Sequence, residues 1–162
     1  LDFDLIFRNG QVVDGSGAAA YLADVGVAGG RIAAVADLSQ ASARRVLDIA
    51  GQVIAPGFID MHTHADVYVF DYPAVQSKIQ QGVTTDVIGN CGFSPFPAGP
   101  ARRTLIRDRI GQVLKSETPW SWNSFDEYSR LLASRRIGLN LVPLVGHTTV
   151  RLMAMGLEER SP

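Results

Sequence analysis

The chain contains a single cysteine, Cys91, among its 162 residues. No disulfide can form within it, which excludes a disulfide-stapled secreted fold. It has no surplus of either charge: 15 basic against 16 acidic residues leave a net charge of -1. Without a basic excess to neutralise phosphates, nucleic-acid binding is not expected. No apolar run reaches membrane-spanning length, so no membrane association is expected. Asp2 and Asp4 stand at the start, where a secretory leader carries basic residues, and a cytoplasmic location is expected. Three chemical signatures are also missing. There is no phosphate-cradling glycine loop ending in Lys-Ser/Thr, no Gly-x-Gly-x-x-Gly after a strand, and no Gly-x-Ser-x-Gly nucleophile elbow.

What remains is a composition that buries a core: 46% apolar and only 19% charged residues, which excludes a disordered chain. Residues 1–55 read as short strands. Asn9-Gly10, between Leu5-Ile6-Phe7 and Val12-Val13, is a two-residue hairpin signal, because both residues tolerate positive φ. Gly29-Gly30, between Val25/Val27 and Ile32–Val35, predicts a second hairpin. Val46–Ile49 and Val53-Ile54 complete the set, and the region reads as part of a small β-sandwich.

After Pro56-Gly57 the pattern changes to alternating strands and helices, the mark of a parallel α/β architecture. Strands are expected over Phe58–His64, Val83–Gly89 and Ile137–Val145. Pro73–Gln81 reads as a helix stopped by Gly82. A second helix is expected over residues 101–116, with Leu105, Ile106, Ile110, Val113 and Leu114 on one face. Ser124 and Glu127 form a capping-box pattern ahead of Tyr128, Leu131 and Leu132, and a last helix opens at Thr148. Residues 56–162 thus hold three βα units, too few to close an eight-stranded barrel.

The chemistry concentrates in Asp60-Met61-His62-Thr63-His64. Side chains alternate along a strand, so His62 and His64 point the same way and can grip one metal ion, for which zinc is suited. Cys91 follows the second parallel strand and reaches the same rim, where a thiolate is a good zinc ligand. Cys91 is alternatively an inert buried thiol, or a nucleophile with His147 as its base; Gly92 and Pro95 favour a loop over the helix start a nucleophile needs. His147, in Val145-Gly146-His147-Thr148 at the end of the third strand, either touches substrate or is an ordinary rim histidine. Asp60 shares the parity of the histidines. It either orients the imidazoles or, as we favour, is a buried carboxylate satisfied by backbone groups. Asp66 follows the strand and reads as solvated. Trp120, Trp122 and Phe125 read as packing residues.

The stretch Ala55-Pro56-Gly57-Phe58-Ile59-Asp60-Met61-His62-Thr63-His64 resembles the entry motif of the metal-dependent amidohydrolase superfamily. Gly82-Val83-Thr84-Thr85-Asp86-Val87-Ile88-Gly89-Asn90-Cys91-Gly92-Phe93-Ser94 more narrowly resembles the D-aminoacylases, the N-acyl-D-amino-acid deacylases. The resemblance implies an α/β fold in which a small β-sandwich segment is followed by the first strands and helices of a (β/α)8 TIM barrel, incomplete in this chain. It implies zinc-dependent hydrolysis of an N-acyl-D-amino acid to a D-amino acid and a carboxylate. Cys91 would hold a tightly bound zinc, and His62 and His64 would shape a second, weaker metal position. The family's other two zinc histidines, its general-base aspartate and its groups for the substrate carboxylate lie on later barrel strands, so no catalytic base is expected before Pro162. The rest of the barrel is expected from a longer chain or a second polypeptide. Two other readings stand beside this one: an amidohydrolase of cyclic amides, related to dihydroorotases and hydantoinases, and a non-catalytic fragment that completes a partner's barrel. Cys91, and the lack of an assignable bridging lysine, weigh against the cyclic-amide reading.

Overall fold

The computed structural model describes residues 3–112 and 116–161, and the chain divides into two compact units, Leu1–Pro56 and Gly57–Pro162. The first unit is one mixed sheet of β1 (Phe3–Val12), β2 (Tyr21–Ala28), β3 (Arg31–Ala36), β4 (Ala43–Asp48) and β5 (Val53–Ile54). The strand order is β3-β2-β1-β4, with β5 also paired to β1. β2 runs antiparallel to β1 and β3, whereas β4 and β5 run parallel to β1. Among the described residues the expected sandwich is therefore represented by a single sheet.

Gly29 and Gly30 turn the β2–β3 hairpin, both at positive φ (57° and 74°), as a two-residue turn between twisted strands requires. Asn9-Gly10 does not form a hairpin. β1 runs straight through it, and the register slips between Phe7 and Gly10, so that Arg8 and Asn9 lie opposite Asp24 alone. Asn9 does adopt a left-handed φ of 61°, but its donors have distant partners. Its N–H donates to Asp24 Oδ1 (2.9 Å) and its side-chain amide to Asp48 Oδ1 (3.0 Å). The conformational freedom that signals a turn is used here for a β-bulge.

The second unit carries β6 (Phe58–Thr63), α1 (Tyr68–Asp71), α2 (Gln76–Ile79), β7 (Val83–Ile88), α3 (Arg103–Ile110), α4 (Phe125–Ala133), β8 (Asn140–Pro143) and α5 (His147–Met155). The strands form a parallel sheet in the order β6-β7-β8 with helices in every crossover, the α/β arrangement expected from the sequence. Ile88, Phe96, Ile106, Ile110, Trp122 and Tyr128 form its fully buried centre. Trp120 is also buried, whereas Phe125 is half exposed and leans on Phe96, ring centroids 5.1 Å apart.

The expected helix over 73–81 is shorter and begins later. The Pro73 carbonyl accepts the N–H of Gly138 (2.8 Å) instead of starting a helical ladder, and Val75 sits at a left-handed φ of 44°. Gly82 ends the segment at φ 81°, as its position suggested. On α3 the buried positions are Ile106 and Ile110; Val113 and Leu114 lie outside the described residues. Ser124 caps α4, its Oγ accepting the Glu127 N–H (3.2 Å). The returning Glu127 carboxylate bonds Asn123, not Ser124.

Candidate metal centre

His62 lies on β6, and His64 follows the strand's last residue, Thr63. Strict alternation does not carry them to one side. The β6–β7 register slips between Asp60 and Thr63, because one extra residue is inserted there. The two imidazoles nevertheless stand together, ring centroids 5.7 Å apart and planes at 62°. The bulge re-aims the end of the strand, as bulges beside functional sites do.

Cys91 reaches them from the neighbouring strand. β7 ends at Ile88, and Gly89 (φ 82°) and Gly92 (φ 89°) fold the chain into a tight turn around Asn90-Cys91, closed by the Gly92 N–H donating to the Gly89 carbonyl (3.1 Å). Asn90 Nδ2 donates to the Met61 carbonyl (2.9 Å), so the residue before Cys91 is tied to the residue before His62. Cys91 Sγ stands 3.8 Å from His64 Nδ1. One donor atom from each of His62, His64 and Cys91 lies within 4.8 Å of the others.

This donor set fits zinc. Two imidazole nitrogens and a thiolate are the ligand types zinc prefers, and donors on one tetrahedral ion stand about 3.3–3.6 Å apart. The histidines are exposed and the cysteine is half-buried, leaving room for a further ligand and a substrate, as a catalytic site needs and a sealed structural one does not.

His147 is not at a strand end. It is the exposed first residue of α5, with Gly146 as N-cap, and it is not in the three-residue cluster. The imidazole beside Cys91 belongs to His64, which removes the support for a Cys91–His147 nucleophile pair. His147 still borders the site through the backbone. The Thr148 N–H donates to the Gly92 carbonyl (2.9 Å), and buried Ser94 and Thr149 exchange hydrogen bonds (2.9 and 2.8 Å), locking the loop after Cys91 onto α5.

Asp60 differs from the buried carboxylate we favoured. It is about one-third exposed, ion-paired to Lys78, and its Oδ1 accepts the His62 N–H (3.1 Å). The Lys78 hydrogen bond, then that of His62, hold its carboxyl below the usual range. Asp66 is fully buried rather than solvated. Among the described residues neither of its carboxylate oxygens has a hydrogen-bond partner, and burial pushes its pKa up to about 7.

Lys78 and Asp86 escaped the reading of the sequence. Lys78 Nζ donates to Asp60, to Thr63 Oγ1 (3.0 Å) and to the fully buried Asp86 (3.2 Å). A lysine on a short helix reads as a solvated charge. The available signal was Asp86, a carboxylate inside the strand Val83–Ile88 that must find a partner once buried.

Comparisons with known proteins place the chain among amidohydrolases. The sequence profile of the Amidohydrolase family matches residues 45–162. N-acyl-D-aspartate deacylase of Alcaligenes xylosoxydans xylosoxydans is 40% identical over 155 residues, covering 94% of this chain and 30% of the relative. The solved N-acyl-D-glutamate deacylase of Bordetella bronchiseptica, complexed with zinc and a phosphonate mimic of the tetrahedral intermediate, is 36% identical with a TM-score of 0.84. That match covers all of this chain and 33% of the other. A solved D-aminoacylase with a binuclear metal center, described by one-metal activation and second-metal attenuation, is 45% identical with a TM-score of 0.79, over 94% of this chain and 31% of its own. The chain thus spans about a third of the length of these relatives. Among the described residues no helix is long and apolar enough to cross a membrane.

Proposed function

The chain belongs to the amidohydrolase family, and from that premise we propose that it supplies metal ligands for the zinc-dependent hydrolysis of N-acyl-D-amino acids to a D-amino acid and a carboxylate. The observation that carries this reading is the convergence of His62, His64 and Cys91 within 4.8 Å, in a sequence 40% identical to a deacylase of that substrate class. Cys91 holds the tightly bound zinc, and His62 and His64 serve a second, weaker position. Bound zinc supplies Lewis acidity, lowering the pKa of water and polarising the amide carbonyl.

The chain's own residues prepare that chemistry. The bulge at Asp60–Thr63 aims the two imidazoles, and the Gly89–Gly92 turn presents the thiol to them. His147, on the first turn of α5 beside the Cys91 loop, contacts the substrate. The general-base aspartate, the remaining zinc histidines and the groups for the substrate carboxylate come from polypeptide outside residues 1–162, in a longer chain or a second one. A reducing cytoplasm suits a site whose lone thiolate must stay unoxidised. The position of Cys91 beside the imidazoles, together with the deacylase relatives, favours linear amides over cyclic ones.

The test is a substrate panel on the assembled enzyme, residues 1–162 together with the polypeptide that completes the barrel; residues 1–162 alone are expected to be inactive. Zinc-loaded protein is expected to release free D-amino acid from N-acetyl-D-amino acids, to leave the L-enantiomers intact, and to lose activity to a chelator until zinc is restored. Hydrolysis of dihydropyrimidine-type cyclic amides, with none of linear N-acyl-D-amino acids, would overturn the reading.

A further inference from the structure

We propose that Lys78 is a positioning residue for the metal centre: its ammonium pins the bulged Asp60–Thr63 stretch to the buried Asp86, fixing where His62 and His64 stand relative to Cys91. This rests on the reading of those three residues as metal ligands.

Three observations support it. First, Lys78 Nζ has three donor hydrogens and three acceptors, Asp60, Thr63 Oγ1 and Asp86 Oδ1, so its capacity is fully used. Second, two of these acceptors, Asp60 and Thr63, bracket His62. Asp60 precedes His62 and accepts its backbone N–H through the other carboxylate oxygen (3.1 Å). Thr63 lies between the two ligands, and its hydroxyl donates on to Asp86 Oδ2 (3.4 Å). One ammonium therefore holds the backbone on both sides of His62. Third, the anchor lies on the strand that leads to Cys91. Asp86 is on β7 and fully buried, and the β6–β7 register slips between Asp60 and Thr63. Ladder bonds are weakest at a bulge, so an added cross-strand lock has most effect there.

An ordinary surface ion pair contributes little, and a lysine kept only for stability would be replaceable together with its buried partner by neutral groups. A lysine that aims ligands is not replaceable in that way, and the contrast supplies the experiment. Zinc affinity is measured by competition with a chromophoric chelator, alongside the ligand-field and thiolate charge-transfer bands of the cobalt-substituted protein. The proteins compared are the parent, Lys78→Met, and Lys78→Met combined with Asp86→Asn; the double variant removes the buried Asp86 charge together with its partner and guards against simple unfolding. Zinc affinity is expected to fall about tenfold to a hundredfold, as for other groups that orient ligands, in both variants, with altered cobalt bands. Wild-type affinity and bands in the folded double variant would overturn the positioning role, even if Lys78→Met alone is impaired. A parent protein that binds no zinc overturns the ligand assignment itself, a result separable from the first.

Discussion

The sulfur of Cys91 stands 3.8 Å from Nδ1 of His64, although 27 residues separate them in the chain. Parallel pairing of β6 with β7 puts the two strand ends side by side, and the Asn90–Met61 hydrogen bond (2.9 Å) closes the remaining gap. The proximity is a product of topology, because neither the His-x-His spacing nor the lone cysteine implies it separately.

If Cys91 holds the tight zinc, Cys91→Ala loses it together with most activity, whereas Cys91→Asp keeps part of both, because a carboxylate also ligates zinc. Metal analysis after exhaustive dialysis checks this. Unchanged zinc in Cys91→Ala removes Cys91 from the ligand set.

Gly89 is where the Cys91 turn is most exposed to disruption. It has a φ of 82°, and a Cβ there would meet the Leu144 carbonyl oxygen at 2.3 Å. Gly89→Ala therefore combines a left-handed strain of about 1–3 kcal/mol with a backbone clash. We expect a lowered unfolding midpoint and weaker zinc binding. A variant as stable and as tightly metallated as the parent contradicts this account of the turn.

The α4 cap separates stability from the metal site. Ser124→Ala removes the acceptor of the Glu127 N–H and should cost about 1 kcal/mol. α4 carries Tyr128, whose hydroxyl donates to the Asp66 backbone carbonyl (2.5 Å), but no residue of α4 is in the ligand cluster. Denaturant titration should show the loss while zinc affinity stays unchanged. A parallel loss of zinc affinity argues against this separation.

Asp71 gives an acid-sensitive contact. Its carboxylate accepts the Thr118 hydroxyl (2.6 Å) and the Glu117 N–H (3.0 Å). Burial raises its pKa, but the hydrogen bonds from Ser116, Thr118 and Glu117 outweigh burial and leave it below its ordinary value of 3.8. A carboxylate depressed on folding contributes stability above its unfolded value, and that contribution is lost as pH falls through the folded one. The protection of the Glu117 amide, its intrinsic exchange rate at each pH over the observed one, should therefore stay high at neutral pH and fall only below about pH 4. In Asp71→Ala, which has no side-chain acceptor, protection should be low at both, and an equally protected Glu117 amide in Asp71→Ala speaks against the contact.

Much of the site was legible because its signals are local. His62, His64 and Cys91 sit at the ends of apolar strands whose parallel order follows from the alternation of strands and helices. What was not legible depended on distant partners. Asn9-Gly10 carries the residue types of a hairpin, but Asp24 and Asp48 claim the Asn9 donors and leave a bulge. Pro73 reads as a helix start, but Gly138 takes its carbonyl. Lys78 and Asp86 are eight residues apart on different elements, and only the folded bulge reveals that they bond each other and share Thr63, with Lys78 holding Asp60 as well.

The most direct test of the metal centre is zinc K-edge X-ray absorption on the purified, zinc-loaded full chain. A sulfur scatterer at about 2.3 Å is expected together with imidazole nitrogens at about 2.0–2.1 Å. A spectrum fitted by nitrogen and oxygen alone in the parent protein would contradict it.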